Sequence, residues 1–244
     1  MKGQFEYWSD IPDVFLRNKH CQLHINSLYE LGIINMVDTA LKQLSNGPKC
    51  ILEIGGGSQI ISRYLLKKYP SVKIVCTDLS KKRIDMFSEY HDSPDDNLTI
   101  LGDINAANMP FEDESFDLII GDAMLHHIDH LKPALFEINR CLKKSGKAIF
   151  VREPVIGALG VLIYKLFLHL KKIDKHILGN YIEHKRVLSQ WYYEFYMSGF
   201  EVKTLRFWKN QKYIWRIRSI FPRITPCYLV FVLEPKIRIK DPES

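Results

Sequence analysis

One stretch limits this chain more than any other: Ile51-Leu52-Glu53-Ile54-Gly55-Gly56-Gly57-Ser58. The apolar run from Cys50 to Ile54 reads as a short buried strand. Three glycines end it, and Ile60 to Tyr69 follows with helical spacing. Strand, glycine turn and helix together form the opening unit of a doubly wound α/β sheet, the geometry that cradles a nucleotide or phosphate. Glycine suits such a turn because the backbone reverses sharply and comes within contact distance of a ligand, where a Cβ would intrude. A dinucleotide fingerprint G-x-G-x-x-G/A would need a third small residue, but Ile60 holds that place. An acid, Glu53, precedes the first glycine by two residues.

The rest of the chain reads as an alternation of strands and helices. Leu23 to Leu44 has apolar residues at helical spacing and stops at Ser45-Asn46-Gly47-Pro48; it would cover the cofactor cleft or pack against the sheet edge. Val72 to Thr77 is a second strand ending at Asp78, which lies 21 residues beyond Gly57, where a doubly wound sheet places an acid for the two ribose hydroxyls. Asp78 also suits a helix start together with Ser80. A helix over Lys81 to Tyr90 leads to a third strand, Asn97 to Leu101, and then to Gly102-Asp103-Ile104. The segment Met109-Pro110-Phe111-Glu112-Asp113-Glu114-Ser115-Phe116-Asp117 leads into a fourth apolar strand, followed by Gly121-Asp122-Ala123-Met124-Leu125-His126-His127-Ile128. A helix over Leu131 to Leu142, a basic turn at Lys143 to Lys147 and a fifth strand, Ala148 to Val151, come next. Beyond Pro154 lie an apolar run from Val155 to Leu170, a helix from Val187 to Met197 and strands at Phe200 to Phe207 and Thr225 to Leu233.

In this order the motifs resemble the class I S-adenosylmethionine-dependent methyltransferases. Their first motif is E/D-x-G-x-G. A Pro-Phe-x-x-x-Ser-Phe-Asp lead into the fourth strand and a Leu-His-His after it are characteristic of a small-molecule subfamily (methyltransferase type 11-like) that includes quinone and sterol methyltransferases. The resemblance covers residues 50 to 154. It implies a doubly wound, seven-stranded, mostly parallel sheet with an antiparallel edge strand and a helical insertion. It divides the chain into an N-terminal helical cover (1–48), a cofactor-binding core (49–154), a helical substrate lid (155–187) and a C-terminal part completing the sheet (188–244). It also implies S-adenosylmethionine as cofactor. Gly55, Gly56 and Gly57 would meet its methionine and ribose portion, with Glu53 orienting the turn and the amino group. Asp78, with Leu79 next to it, would hold the ribose, and Asp103 and Ile104 the adenine.

The methyl acceptor needs a lone pair, and a hydroxyl acceptor gains from a general base. Asp122, His126 and His127, after the fourth strand, are the candidates. Histidine titrates near working pH, and two neighbours on a helix point about 100 degrees apart, so one of the pair would face the cleft. His184 is an outside candidate for substrate contact. No metal is required, since the spacing of His126, His127 and His130 lacks cysteine or carboxylate support.

Charge is uneven. Residues 1–154 carry 18 Lys/Arg and 21 Asp/Glu, whereas residues 155–244 carry 16 and 7, with 16 of the 29 aromatics. This suits an anionic or amphipathic partner, so the expected acceptor is small or lipid-like, with peripheral membrane contact through 155–176. At 16 residues the apolar run is short for a membrane span. Methylation of exocyclic base amines is disfavoured because Asn/Asp-Pro-Pro-Tyr/Phe is missing after the fourth strand. An RNA methyltransferase using the basic tail (Lys209, Lys212, Arg216, Arg218), or a non-catalytic cofactor-binding scaffold, are the competing readings. The start, Met1 to Asp10, lacks a basic stretch leading into an apolar one, so no signal peptide and a cytoplasmic location are expected. Five scattered cysteines fit free thiols there.

Overall fold

The computed structural model describes Asn26 and residues 32–42, 44, 47–90, 95–128, 130–155, 186–208 and 227–236. The expected lid apart from Val155, Arg186 and Val187, with His184 in it, and the basic tail residues Lys209, Lys212, Arg216 and Arg218 lie outside these, as does most of the N-terminal cover.

The strands are β1 (Cys50–Ile54), β2 (Lys73–Thr77), β3 (Leu98–Leu101), β4 (Phe116–Asp122), β5 (Leu142–Val155), β6 (Phe200–Trp208) and β7 (Cys227–Pro235). They form one seven-stranded sheet in the order β3-β2-β1-β4-β5-β7-β6. All neighbours from β3 to β5 pair in parallel, and β7 runs antiparallel to both β5 and β6. The expected antiparallel edge is therefore a two-strand device. β7 slots between β5 and the edge strand β6.

The helices are α1 (Ile33–Leu41), α2 (Ile60–Lys68), α3 (Lys81–Tyr90), α4 (Leu131–Cys141) and α5 (Leu188–Met197). A parallel sheet covered on both faces needs strands that are apolar at every position. Here alternate residues divide between two cores. Ile51, Leu118, Ile120, Ile149, Val151, Val230 and Val232 pack with α1 and α2. Leu52, Ile119, Ala148, Phe150, Leu229, Phe231 and Leu233 pack with α4 and α5. The helices match this with one apolar stripe each: Leu131, Ala134, Leu135, Ile138 and Cys141 on α4 are all buried. α1 buries Ile33, Met36, Val37, Ala40 and Leu41 in the first core, so the described part of the N-terminal cover packs on the sheet.

β5 is longer than the sequence suggests. Lys143 to Lys147, read as a turn, is a bulge within it: Phe116 pairs with Leu142 and Leu118 with Lys147. Arg152, Glu153 and Pro154 continue the strand, because β7 pairs with Glu153, Pro154 and Val155. The strand order reverses between β1 and β4, so the crevice for a ligand opens beyond their carboxyl ends.

Candidate active site

On the β1 side of the crevice the chain turns at Gly55, whose φ of 70° suits glycine. The glycines are also required by the protein's own packing. A Cβ on Gly55 would lie 3.0 Å from Met124 Cβ, and one on Gly56 would lie 2.5 Å from Cys76 Sγ and 2.6 Å from Glu53 Cδ. On Gly57 it would collide with the stem of Arg83. The sequence suggested room for a ligand. The structure adds that four side chains, those of Met124, Cys76, Glu53 and Arg83, already occupy the rear of the turn.

Asp78, 8% exposed, closes the turn from β2. The Gly57 N–H donates to its Oδ2 at 3.0 Å, and the Ser80 N–H to its Oδ1 at 2.9 Å. Ser80 Oγ accepts from Arg83 N–H at 3.2 Å, so the start of α3 and the Asp78 carboxylate are fixed together. Leu79 is half-buried beside it. A Cβ on Gly102 would sit 2.5 Å from Lys81 Cα, which is how the end of β3 comes up against α3. Asp103 is exposed with φ of 58°, and its carboxylate accepts from the Lys81 N–H at 3.3 Å. The Ile104 N–H donates to the Asp78 carbonyl at 3.1 Å. Asp78 and Asp103 thus stand on adjacent strand ends, tied together through backbone hydrogen bonds.

Glu53 is buried and faces α2. Its Oε2 accepts from the Ser62 N–H at 3.0 Å and from the Ser62 hydroxyl. Ser62 is in the first turn of α2, where backbone N–H groups lack partners and an anion is favoured. Burial pushes the Glu53 carboxyl up to about 7 despite these bonds, and burial likewise raises the thiol of Cys76 well above its ordinary value.

Across the crevice, the ends of β4 and β5 carry two left-handed residues that are not glycine, Ala123 (φ 50°) and Arg152 (φ 57°). The Ala123 N–H donates to Val151 O at 2.9 Å. The Arg152 guanidinium grips the Asp122 carboxylate in a two-pronged ion pair, with Nε 2.5 Å from Oδ1 and Nη2 on Oδ2. Burial still outweighs Arg152, and the Asp122 carboxyl lies above its ordinary value.

Glu153, fully buried, turns into the short 3₁₀ turn Leu125–His127. Its Oε1 accepts from the N–H groups of Met124 (3.0 Å) and Leu125 (2.9 Å), and its Oε2 accepts from the His126 N–H (3.1 Å). The His126 ring reaches the same Oε2 through Nδ1 at 2.9 Å. Burial works to raise this carboxyl, but His126 and the backbone donors outweigh it and hold it below its ordinary value. His126 is 5% exposed, whereas His127 is half-buried with its ring centroid 4.1 Å from that of His126. Beyond them, the Arg186 guanidinium lies 5.0 Å from the Trp191 ring, and Trp191 Nε1 donates to Pro154 O at 3.2 Å.

The structure thus gathers Glu53, Gly55 to Gly57, Asp78, Leu79, Asp103 and Ile104 around β1 to β3, and Asp122, His126 and His127 at the end of β4. Glu153, Arg152 and Met124 were not singled out from the sequence. A signal existed for two of them: charged residues ending an apolar strand are rarely buried unless they are paired or used.

Residues 52–150 match a family described as a methyltransferase domain. Over 130 residues the chain is 25% identical to the malonyl-[acyl-carrier protein] O-methyltransferase of Halalkalibacterium halodurans, covering 52% of this chain and 47% of that one. Over 113 residues it is 29% identical to the phthiotriol/phenolphthiotriol dimycocerosates methyltransferase of Mycobacterium tuberculosis, covering 46% and 41%. The matches thus span less than half the length of these relatives. The fold is shared with a solved structure of phosphoethanolamine N-methyltransferase 2 of Haemonchus contortus, in complex with phosphomonomethylethanolamine and S-adenosylhomocysteine. That likeness has a TM-score of 0.70 at 12% identity and covers 97% of this chain and 61% of that one. The methyltransferase-domain match over residues 52–150, the methyltransferase relatives and the seven-stranded sheet with its E-x-G-x-G turn support a class I S-adenosylmethionine-dependent methyltransferase.

Proposed function

We propose that this chain transfers the methyl group of S-adenosylmethionine to an oxygen or nitrogen of a small or amphipathic acceptor. One observation carries the reading: two carboxylates, Asp78 and Asp103, stand on adjacent strand ends beside a glycine turn at the switch point of the sheet. A ribose diol and an adenine amino group are donors, and carboxylates are acceptors that supply no proton of their own. The residues therefore fit the cofactor. Asp78 keeps lone pairs beyond those used by Gly57 and Ser80 and takes the diol, with Leu79 beside it. Asp103, exposed, takes the adenine amino group, with Ile104 alongside. Gly55 to Gly57 face the methionine portion, and Glu53 keeps the turn seated on α2.

When bound, the sulfonium supplies a methyl group already activated for in-line displacement, so what the protein must provide is alignment. Held by Asp78, Asp103 and Gly55 to Gly57, the cofactor would give up that methyl to the acceptor lone pair, its sulfur keeping the electron pair of the carbon–sulfur bond that breaks. The acceptor proton leaves to a base. His127 suits that role better than its neighbour, because His126 is buried against Glu153 while His127 keeps access to solvent. Asp122, held by Arg152, shapes the acceptor end. The relatives are named for malonyl-[acyl-carrier protein] and for phthiotriol and phenolphthiotriol dimycocerosates, and the apolar run 155–170 gives this chain a stretch suited to an amphipathic acceptor and to peripheral membrane contact through 155–176. Among the described residues no helix is long and apolar enough to cross a membrane.

The test is calorimetry with S-adenosylmethionine and S-adenosylhomocysteine, followed by transfer of a labelled methyl group into lipid-extracted products. Micromolar binding that is lost in Asp78→Ala is the expected result. No binding at millimolar ligand overturns the reading.

A further inference from the structure

We propose that Glu153 is a positioning residue that sets the acceptor-side turn and the cofactor-side glycine turn as a single unit. The proposal rests on the methyl-transfer reading above and goes beyond the residues that would touch cofactor or acceptor.

A carboxylate offers about four lone-pair directions. Glu153 fills them with three backbone N–H groups and the His126 ring, with no exposure to water. An ion buried this way costs several kcal/mol unless its donors compensate, and a turn that needed only packing could be closed by an apolar side chain. What the charge adds is direction. An acceptor-only partner makes His126 Nδ1 a protonated nitrogen and turns Nε2 away from Glu153, a hydrogen assignment that follows from the hydrogen-bond network. His127 rests on the ring so fixed.

The same carboxylate reaches the cofactor side through Met124. The Met124 N–H is bonded to Glu153, and its side chain sits in a notch lined by two glycines. A Cβ on Gly55 would be 3.0 Å from Met124 Cβ, and one on Gly121 would be 2.8 Å from Met124 Cγ. A close-packed contact of this kind passes displacement on rather than absorbing it. If Glu153 releases the 124–127 turn, Met124 leaves the notch and Gly55 loses the surface against which its left-handed turn is set. The groups facing Glu153 and its turn are Arg152 and Asp122 at the strand ends, His126 and His127 on the turn, and Arg186 next to β5.

The experiment uses the full chain, wild type and Glu153→Gln, with two measurements: ring-nitrogen NMR of His126 near neutral pH and calorimetry with S-adenosylhomocysteine. In the wild type His126 should carry a proton on Nδ1. In Glu153→Gln the amide must aim its NH₂ either at the backbone N–H groups or at His126, so both tautomers should appear. S-adenosylhomocysteine affinity should fall roughly 5- to 150-fold, the usual span for coupling between two sites. A wild-type His126 with Nδ1 unprotonated overturns the proposal, and this arm needs no variant to fold. Wild-type binding left unchanged in Glu153→Gln also overturns it. Absence of binding by the wild type is a different failure: it removes the methyl-transfer reading, and the coupling with it.

Discussion

The two edges of the sheet are built from the same kind of bond, a carboxylate accepting backbone N–H groups, under opposite conditions. At the carboxyl edge Glu53, Asp78 and Glu153 are 3%, 8% and 0% exposed and hold the turns around the crevice. At the amino edge the bonds are made at the surface. Asp117 Oδ2 accepts from the N–H groups of Lys49 and Cys50 while its Oδ1 pairs with Lys143, which fixes the entry to β1. Arg140 uses all five of its N–H donors on α4 and the loop before β4. Nε and Nη2 reach Glu137, Nη1 reaches Asp113 and the Phe111 carbonyl, and Nη2 also reaches the Met109 carbonyl. Backbone strain divides in the same way. Of the non-glycine residues with left-handed φ among those described, Gln59, Asp103, Ala123 and Arg152 lie around the crevice and only Glu114 lies elsewhere. Strain and buried charge persist where the surrounding structure over-determines them, and they cluster at sites. The molecule therefore has a working edge and a holding edge.

The hardest blow to the working edge is Gly56→Ala. The new methyl would lie 2.5 Å from Cys76 Sγ and 2.6 Å from Glu53 Cδ, both buried and unable to swing clear. Overpacking of this kind costs about 1–3 kcal/mol, and the displaced parts are the turn itself and the carboxylate that seats it. Urea unfolding should show that loss, and S-adenosylhomocysteine binding should disappear in calorimetry. A variant as stable as wild type that binds normally would break the assignment of this edge.

Glu53 sharpens the contrast through pH. Its carboxyl is held at about 7 in the fold by burial, against an ordinary value of 4.5. Between those two values the folded chain binds more protons than the unfolded one, so stability falls as pH rises and the fall is complete above about 7. The total is on the order of 3 kcal/mol at 1.36 kcal/mol per tenfold change in proton affinity. Unfolding of Glu53→Gln from pH 5 to 8 should lack that decline, so that the variant is the more stable protein at pH 8. Equal slopes in the two proteins would show that Glu53 is ionised throughout. The holding edge should contribute little slope in this window, since the Asp117 carboxyl lies below its ordinary value: burial raises it, but Lys143 and two backbone N–H groups prevail.

What the sequence made legible follows from how far each residue's partners lie along the chain. The step of 21 residues from Gly57 picks out Asp78, the resemblance to the family picks out Asp103 after the third strand, and the structure puts the two strands side by side. Strands buried on both faces read clearly because nearly every position is apolar. Glu153 was opaque because its four bonds go to residues 27 to 29 positions away; within its own strand it looks like a charge at a solvated end. The glycines were legible as a turn but only partly as a reason. Met124, Cys76 and Arg83 crowd them from outside the motif. The Pro-Phe-x-x-x-Ser-Phe-Asp segment marked the family, and in the structure it belongs to the holding edge. Phe111 and Asp113 meet Arg140, Ser115 Oγ donates to Glu112 O, and Asp117 fixes β1.

That division yields the smallest of the expected effects. Arg140→Ala removes the donors that tie Met109, Phe111 and Asp113 to α4, yet the side chain is about one-third exposed, and the carbonyls it leaves can turn to water. Net hydrogen bonds are worth about 1 kcal/mol each when both partners are shielded and less when water competes, so a loss of about 1–2 kcal/mol is expected in urea unfolding. Glu137 still accepts the Met109 N–H at 2.9 Å, which keeps the loop in place at one point. Because this clamp lies toward the amino edge and shares no partner with Gly55, Asp78 or Glu153, its energy should add to theirs rather than couple with it. S-adenosylhomocysteine affinity in Arg140→Ala should match wild type. A matching loss of affinity would mean that the two edges form one cooperative body.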